Sequence, residues 1–336
     1  MKKPFIRRAS PDGSQTLRRA VQLGFVALNL WIGIEFYWFV RQFETGAAVT
    51  HGRPPGVEGW LPIAGLLNLK YTLVTGEIPV IHPAAMVLLV AFLAMSWLLR
   101  RSFCSWLCPV GTLSEELWKF GRRTFRRNWR FPRWLDIPLR SLKYLVFGFF
   151  FYAVLSMPAD AIAEFQRSPF GVLADVKMLN FFRDLGVTAA VVLAVLMIGS
   201  IFVQNLWCRY LCPYGALIGL VSWMSPTRIR RSEQACIDCA KCAKACPSHL
   251  AVDKLISIAS VECTGCLECV SACPVEGALE FQAPRSRRLS PKWVAAGVAV
   301  IFVGCVAAAR LTGHWASPIP PEVYSHWIPL AASLSH

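Results

Sequence analysis

The chain carries thirteen cysteines, and all but Cys305 fall into spaced sets. The densest set reads Cys236-x2-Cys239-x2-Cys242-x3-Cys246-Pro247 and recurs as Cys263-x2-Cys266-x2-Cys269-x3-Cys273-Pro274. Thiolates are soft donors suited to iron–sulfur iron. Short x2 steps let one tight loop wrap three corners of a cube, while the fourth cysteine of each run serves the other cube. The spacing predicts one [4Fe–4S] cluster on Cys236, Cys239, Cys242 and Cys273. It predicts a second on Cys263, Cys266, Cys269 and Cys246. Structural zinc commonly takes two CxxC pairs separated by a longer loop, a different pattern. Gly265 and Gly277 suit the tight turns.

A second pair of motifs is Cys104-x3-Cys108-Pro109 and Cys208-x3-Cys212-Pro213. Residues i and i+4 share a helix face, so each pair presents two thiols to one point, and the proline stops or bends the helix there. The surrounding segments match over Phe103–Leu113 and Trp207–Leu217 at an offset of 104 residues. This predicts two related halves with a shared site at their interface. Three readings of Cys104, Cys108, Cys208 and Cys212 stay open: a metal or cluster site, a redox dithiol, or buried packing. Cys305, among Val, Gly and Ala, reads as packing.

Elements that position these cysteines come from the apolar runs. Hydrophobic residues make up 55% of the chain, charged residues only 16%, below the roughly 25% of an average soluble domain. Runs at 20–40, 84–99, 141–158, 185–203 and 293–309 predict five membrane spans. Segment 60–74, broken by Pro62, Asn68 and Lys70, reads as interfacial or re-entrant. Net charge is +15, but the basic residues flank the apolar runs. They therefore speak for membrane topology and against a nucleic-acid surface. The segments before the first span, between the second and third, and between the fourth and fifth hold most of the 35 Lys and Arg. The positive-inside rule then places the N-terminus and the cluster domain in the cytoplasm and the C-terminus outside a bacterial inner membrane. Arg7-Arg8 is followed by Ser10-Pro11-Asp12-Gly13 and no short apolar run, so the first span reads as a retained anchor.

Thr112 and Glu115 fit a capping box opening a basic amphipathic helix to about Arg126, suited to anionic lipid. Glu35, inside the first span, is a candidate for a proton or quinone role. His82 reads as an interfacial histidine. No CxxCH, Walker loop or dinucleotide fingerprint occurs.

The expected organisation is a basic N-terminus at 1–19, a transmembrane region at 20–231, a ferredoxin-like domain at 232–283, and a fifth span with outer tail at 284–336. The fold class is a membrane α-helical bundle with an internal two-fold repeat and an inserted α+β bacterial two-cluster ferredoxin domain.

On FCSWLCPVG, WCRYLCPYG and the two cluster runs, the chain resembles the NapH-like membrane ferredoxins, relatives of the NosR membrane part and of CcoG/RdxA. The resemblance implies electron transfer between a quinol or cytoplasmic donor and a respiratory redox partner protein. It carries the eight cluster cysteines and the four CxxxCP cysteines onto these positions. The alternatives are a copper reductase or assembly factor for a respiratory oxidase, and a redox-sensing membrane regulator. An electron-transfer subunit is expected ahead of a stand-alone enzyme.

Overall fold

The computed structural model describes Arg8, residues 13–331 and Ser333. Most of the basic segment expected at 1–19, Arg7 included, and the end of the outer tail lie outside the described residues. The chain divides into two compact units: Met1–Val26 with Phe92–Phe147 and Ala194–Ile301, and Ala27–Ala91 with Gly148–Leu193 and Phe302–His336.

Among the described residues, three helices are long and apolar enough to cross a membrane: Ser14–Glu44, Arg133–Ser156 and Pro291–Leu311. Ala174–Arg183 and Val187–Phe202 would together make a fourth, bent by 81° at their break. Pro83–Leu98 has 16 residues. At 1.5 Å per residue it reaches about 24 Å, short of the roughly 30 Å hydrocarbon core. Length and composition thus support three to four spans, and the expected five depend on this short helix. Pro62–Thr75 is a continuous helix that starts on its proline and ends at left-handed Gly76.

The first unit contains the small sheet of the cluster-motif region. Strands β1 (Arg228–Arg231), β2 (Ser257–Ile258), β3 (Leu279–Ala283) and β4 (Arg287–Arg288) lie in the order β2-β1-β3-β4, all antiparallel. Alternation along the strands buries Ile229, Ile258, Leu279 and Phe281 on one face. These pack with Val252, Leu267 and Trp106 around Cys246, Cys263 and Cys269. Burying four such side chains contributes on the order of 1.5–3 kcal/mol each.

The second unit has its own core, where Phe36, Phe39, Val40 and Phe43 meet Leu173, Val176, Tyr324 and Ile328. Buried Arg53 holds the loops above it, bonding Glu58 at 2.6 Å and Asp175 at 2.6 Å. Each buried carboxylate thus faces the shared guanidinium, and none of these buried charges stands unpaired, as burial demands.

Candidate cofactor sites

Each cluster run folds into a loop with the same backbone signature. Asp238 and Ala240 in the first run, Gly265 and Leu267 in the second, all have positive φ. They occupy equivalent positions between the cysteines. For Ala240 and Leu267 this conformation costs about 1 kcal/mol or more, so the surrounding structure must impose it. At Gly265 a side chain would also press on the Leu99 carbonyl, 3.3 Å from a built Cβ.

Two separate cavities result. One is lined by Cys236, Cys239, Cys242 and Cys273, with Ile237 and Pro274 beside them. The other is lined by Cys246, Cys263, Cys266 and Cys269, with Pro247 and Ile258. Among the described residues, no three Cys, His or acidic side chains gather tightly enough for a single metal ion. Four thiols spread around an open space fit a cubane cluster, which holds its ligands further apart than one ion does. Cover differs between the cavities. Cys239 is exposed, whereas Cys246, Cys263 and Cys269 are buried.

The CxxxCP cysteines come together from two loops of different local form. Cys104 sits on the short helix Ser102–Trp106, and Cys208 on the π-helical turn Trp207–Leu211. In both, the second cysteine is the N-cap of the next helix and proline is its first residue: Cys108 for Pro109–Phe125, Cys212 for Pro213–Trp223. Proline suits that position, because its missing N–H would have no partner there anyway. The N-cap of the basic helix is therefore Cys108, not Thr112 as the capping-box pattern predicts. Gly111 N donates to Cys108 Sγ at 3.4 Å, and Gly215 N donates to Cys212 Sγ at 3.3 Å. Both sulfurs thus face the positive end of a helix dipole. Each Cys-Pro-x-Gly glycine has a close neighbour, a backbone carbonyl at Gly111 and a side-chain tip at Gly215. A Cβ on Gly111 would lie 2.3 Å from the Cys104 carbonyl, and one on Gly215 2.6 Å from Arg101 Nη2.

The four sulfurs are close enough to influence one another. Burial first, then the neighbouring Cys104, pushes the Cys108 thiol up to about 12. Burial and the other three cysteines raise Cys208 in the same way. Cys104 and Cys208 also line a cavity together with Cys266 of the second quartet.

Several basic residues that read in the sequence as topology signals are buried ligands of this region. Arg18, 2% exposed, bonds both oxygens of Glu115 at 2.7 and 2.6 Å and reaches Glu268 at 2.9 Å. Burial alone would raise Glu115, but Arg18 and Lys119 overcome it and hold the carboxyl at about 2. Arg100 donates to the carbonyls of Ser222 and Ser260. Lys143 bonds Glu262 at 2.6 and 2.9 Å. Arg209 joins Asp136 to the Ser248 carbonyl. Glu262 and Glu268 each stand beside a cluster-run cysteine in sequence and Ser248 follows Cys246-Pro247, so these pairs clamp the cluster loops onto the helices. The signal available beforehand was adjacency: Arg100, Arg101 and Arg209 abut or interrupt the CxxxCP motifs.

The remaining candidates fall elsewhere. Glu35 pairs with His51 at 3.3 Å, both partly exposed. His82 is buried, facing Glu58 at 3.3 Å and donating from Nε2 to the Gly171 carbonyl at 2.8 Å. Cys305 is half-buried on the Pro291–Leu311 helix.

Comparison with known proteins agrees with this chemistry. A family model described as a 4Fe-4S binding domain matches twice, over residues 81–128 and 185–232, and a 4Fe-4S dicluster domain matches 228–282. YccM of Escherichia coli (strain K12), named as an electron transport protein, is 51% identical over 328 residues, covering 96% of this chain and 92% of YccM. The methylamine utilization ferredoxin-type protein MauN of Methylorubrum extorquens is 27% identical, covering 69% of this chain and 74% of MauN. The regulatory protein NosR of Pseudomonas aeruginosa is 29% identical, covering 56% of this chain but 26% of NosR. No solved structure matches. The chain belongs to the NapH/NosR-like family of membrane ferredoxin-type electron transport proteins.

Proposed function

We propose that this protein is a bacterial inner-membrane electron-transfer subunit that passes single electrons between a quinol or cytoplasmic donor and a respiratory redox partner. The observation that carries the reading is the pair of cavities lined by crossed cysteine quartets. Cys236, Cys239, Cys242 and Cys273 hold one [4Fe–4S] cluster; Cys263, Cys266, Cys269 and Cys246 hold the other. Bound there, the clusters supply one-electron chemistry at potentials set by burial and by hydrogen bonds to sulfur. Cys104, Cys108, Cys208 and Cys212 form a further cofactor site shared by the two CxxxCP copies. The buried Arg18, Lys143 and Arg209 hold the second quartet against that site. The protein crosses the membrane five times, with its N-terminus and cluster domain in the cytoplasm and its C-terminus outside.

Iron, sulfide, copper and zinc analysis of anaerobically purified protein, with EPR of the reduced sample, tests this reading. About 8 irons with two coupled cubane signals support the ferredoxin quartets. Extra iron that disappears in Cys104→Ser/Cys208→Ser supports the shared site. Copper lost from that variant, with turnover of copper ions, would favour the metal-reductase reading instead. Zinc without iron overturns electron transfer.

A further inference from the structure

The two CxxxCP copies are not electrically equivalent. Arg101 lies three residues before Cys104, and the aligned position in the second copy is Asn205. Arg101 is buried, and its Nε donates to Cys104 Sγ at 3.4 Å. Its Nη1 donates to the Val261 carbonyl at 3.4 Å, and its Nη2 packs where a Cβ on Gly215 would sit. The guanidinium therefore touches the first cysteine of one copy and the Cys-Pro-x-Gly turn of the other. Its nearest carboxylate is Glu262, 3.8 Å away, which is already bonded by Lys143 at 2.6 Å. Arg101 thus retains much of its charge toward the sulfurs, in a place where little water screens it. Asn205 and Arg101 both line the cavity that Cys104 and Cys208 share with Cys266.

From this juxtaposition we infer that Arg101 is the potential-setting residue of the four-thiol site. Its fixed positive charge favours the reduced, more negative state of an iron–sulfur cofactor held by Cys104, Cys108, Cys208 and Cys212. This rests on the reading of those cysteines as a cofactor site. It adds a fixed charge that the pseudo-symmetric motif alone does not have, supplied by one copy and reaching the turn of the other. Arg101 is a positioning and tuning residue, since it reaches the cofactor through the sulfurs.

EPR-monitored redox titration of the full-length protein in detergent tests this, with Arg101→Gln, Arg101→Lys and Gly215→Ala. The relevant signal is the one lost in Cys104→Ser/Cys208→Ser. Removing the charge in Arg101→Gln should lower its midpoint potential by at least the equivalent of a tenfold change in the reduced-to-oxidised ratio, 59 mV for one electron. The ferredoxin signals should move much less. Arg101→Lys, which keeps the charge, should restore most of the difference. Gly215→Ala keeps the arginine but displaces its Nη2, and should shift the potential the same way by a smaller amount. If Arg101→Gln loses the cofactor, Gly215→Ala decides alone. A four-thiol signal present in the parent protein and unmoved in the variants overturns the role of Arg101 only. A parent protein without any such signal or metal overturns the cofactor reading, and this inference with it.

Discussion

The indole of Trp106 donates its Nε1–H to the carbonyl of Gly265 at 3.2 Å, joining the first CxxxCP loop directly to the second cluster loop. Beside it, Ser105 Oγ donates to the Thr264 carbonyl at 2.6 Å. Trp106 is fully buried, so neither partner of this bond has water to fall back on.

Trp106→Phe removes the donor while keeping most of the ring. It should destabilise the protein by about 1–3 kcal/mol, because the Gly265 carbonyl is left buried with one partner fewer. Denaturant unfolding followed by far-UV circular dichroism measures it. A change below a few tenths of a kcal/mol would mean the bond contributes nothing net.

Arg18 and Glu115 form a two-pronged buried pair that also holds Glu268. Removing either partner alone should cost about 3–5 kcal/mol, since the other charge is stranded. Arg18→Leu with Glu115→Leu should cost clearly less than the sum of the two single changes. A double-mutant cycle reads the coupling directly; strict additivity would show that the pair does not act as a unit.

The proposed crossed ligation separates sequence from site. Cys246→Ser lies in the first cysteine run, yet it should degrade the second cluster, whose cavity Cys246 lines. About four of eight irons should be lost or labile. The remaining EPR signal should match the one that survives Cys269→Ser and differ from the one that survives Cys236→Ser. The reverse pattern would break the crossed assignment.

Buried His82 gives the second unit a pH dependence. Burial lowers its pKa and the adjoining Arg53 opposes protonation, but Glu58 and Asp175 outweigh both, so the pKa is raised above 6.5. A raised histidine contributes stability fully present below its unfolded value near 6.5, and lost as pH rises through the folded value. The unfolding temperature should therefore fall as pH is increased above about 6.5. His82→Gln should flatten that slope; an unchanged slope would assign it to another group.

Gly111, whose missing side chain faces backbone, is predicted to be intolerant. Gly111→Ala would drive a methyl to 2.3 Å from a backbone carbonyl, which cannot yield as a flexible side chain can. The loop must then move, and the cofactor content assigned to the four thiols should fall while the ferredoxin irons remain. Parent-like metal content in Gly111→Ala would show that the loop absorbs the shift.

The periodic features were legible from the residues alone. Repeated cysteine spacing announced both cluster loops, and the structure brings those same quartets to two cavities. The apolar runs announced helices, although Pro83–Leu98 stops at 16 residues because Leu99 and left-handed Arg100 turn the chain into the CxxxCP loop. Thr112 was misleading as an N-cap, because a sulfur preceding a proline took that role one turn earlier. What spacing could not reveal was the fate of individual arginines. Arg18, Arg100, Arg101 and Arg209 look like loop charges until a carboxylate or carbonyl far away in sequence, such as Glu268 or Ser260, meets them. Such pairings are tertiary and leave no local period.

The unequal cover of the two quartets also sets an order of damage. Cys239 stands at the surface, while three cysteines of the second quartet lie inside. Oxidation of cysteine follows exposure, so dissolved oxygen meets the first loop well before the second. Protein handled in air is expected to decay through a half-depleted species that keeps the inner cluster and its link to the CxxxCP loops. Repair of such a molecule would need iron and sulfide delivered only to the outer loop, with the rest of the fold left standing.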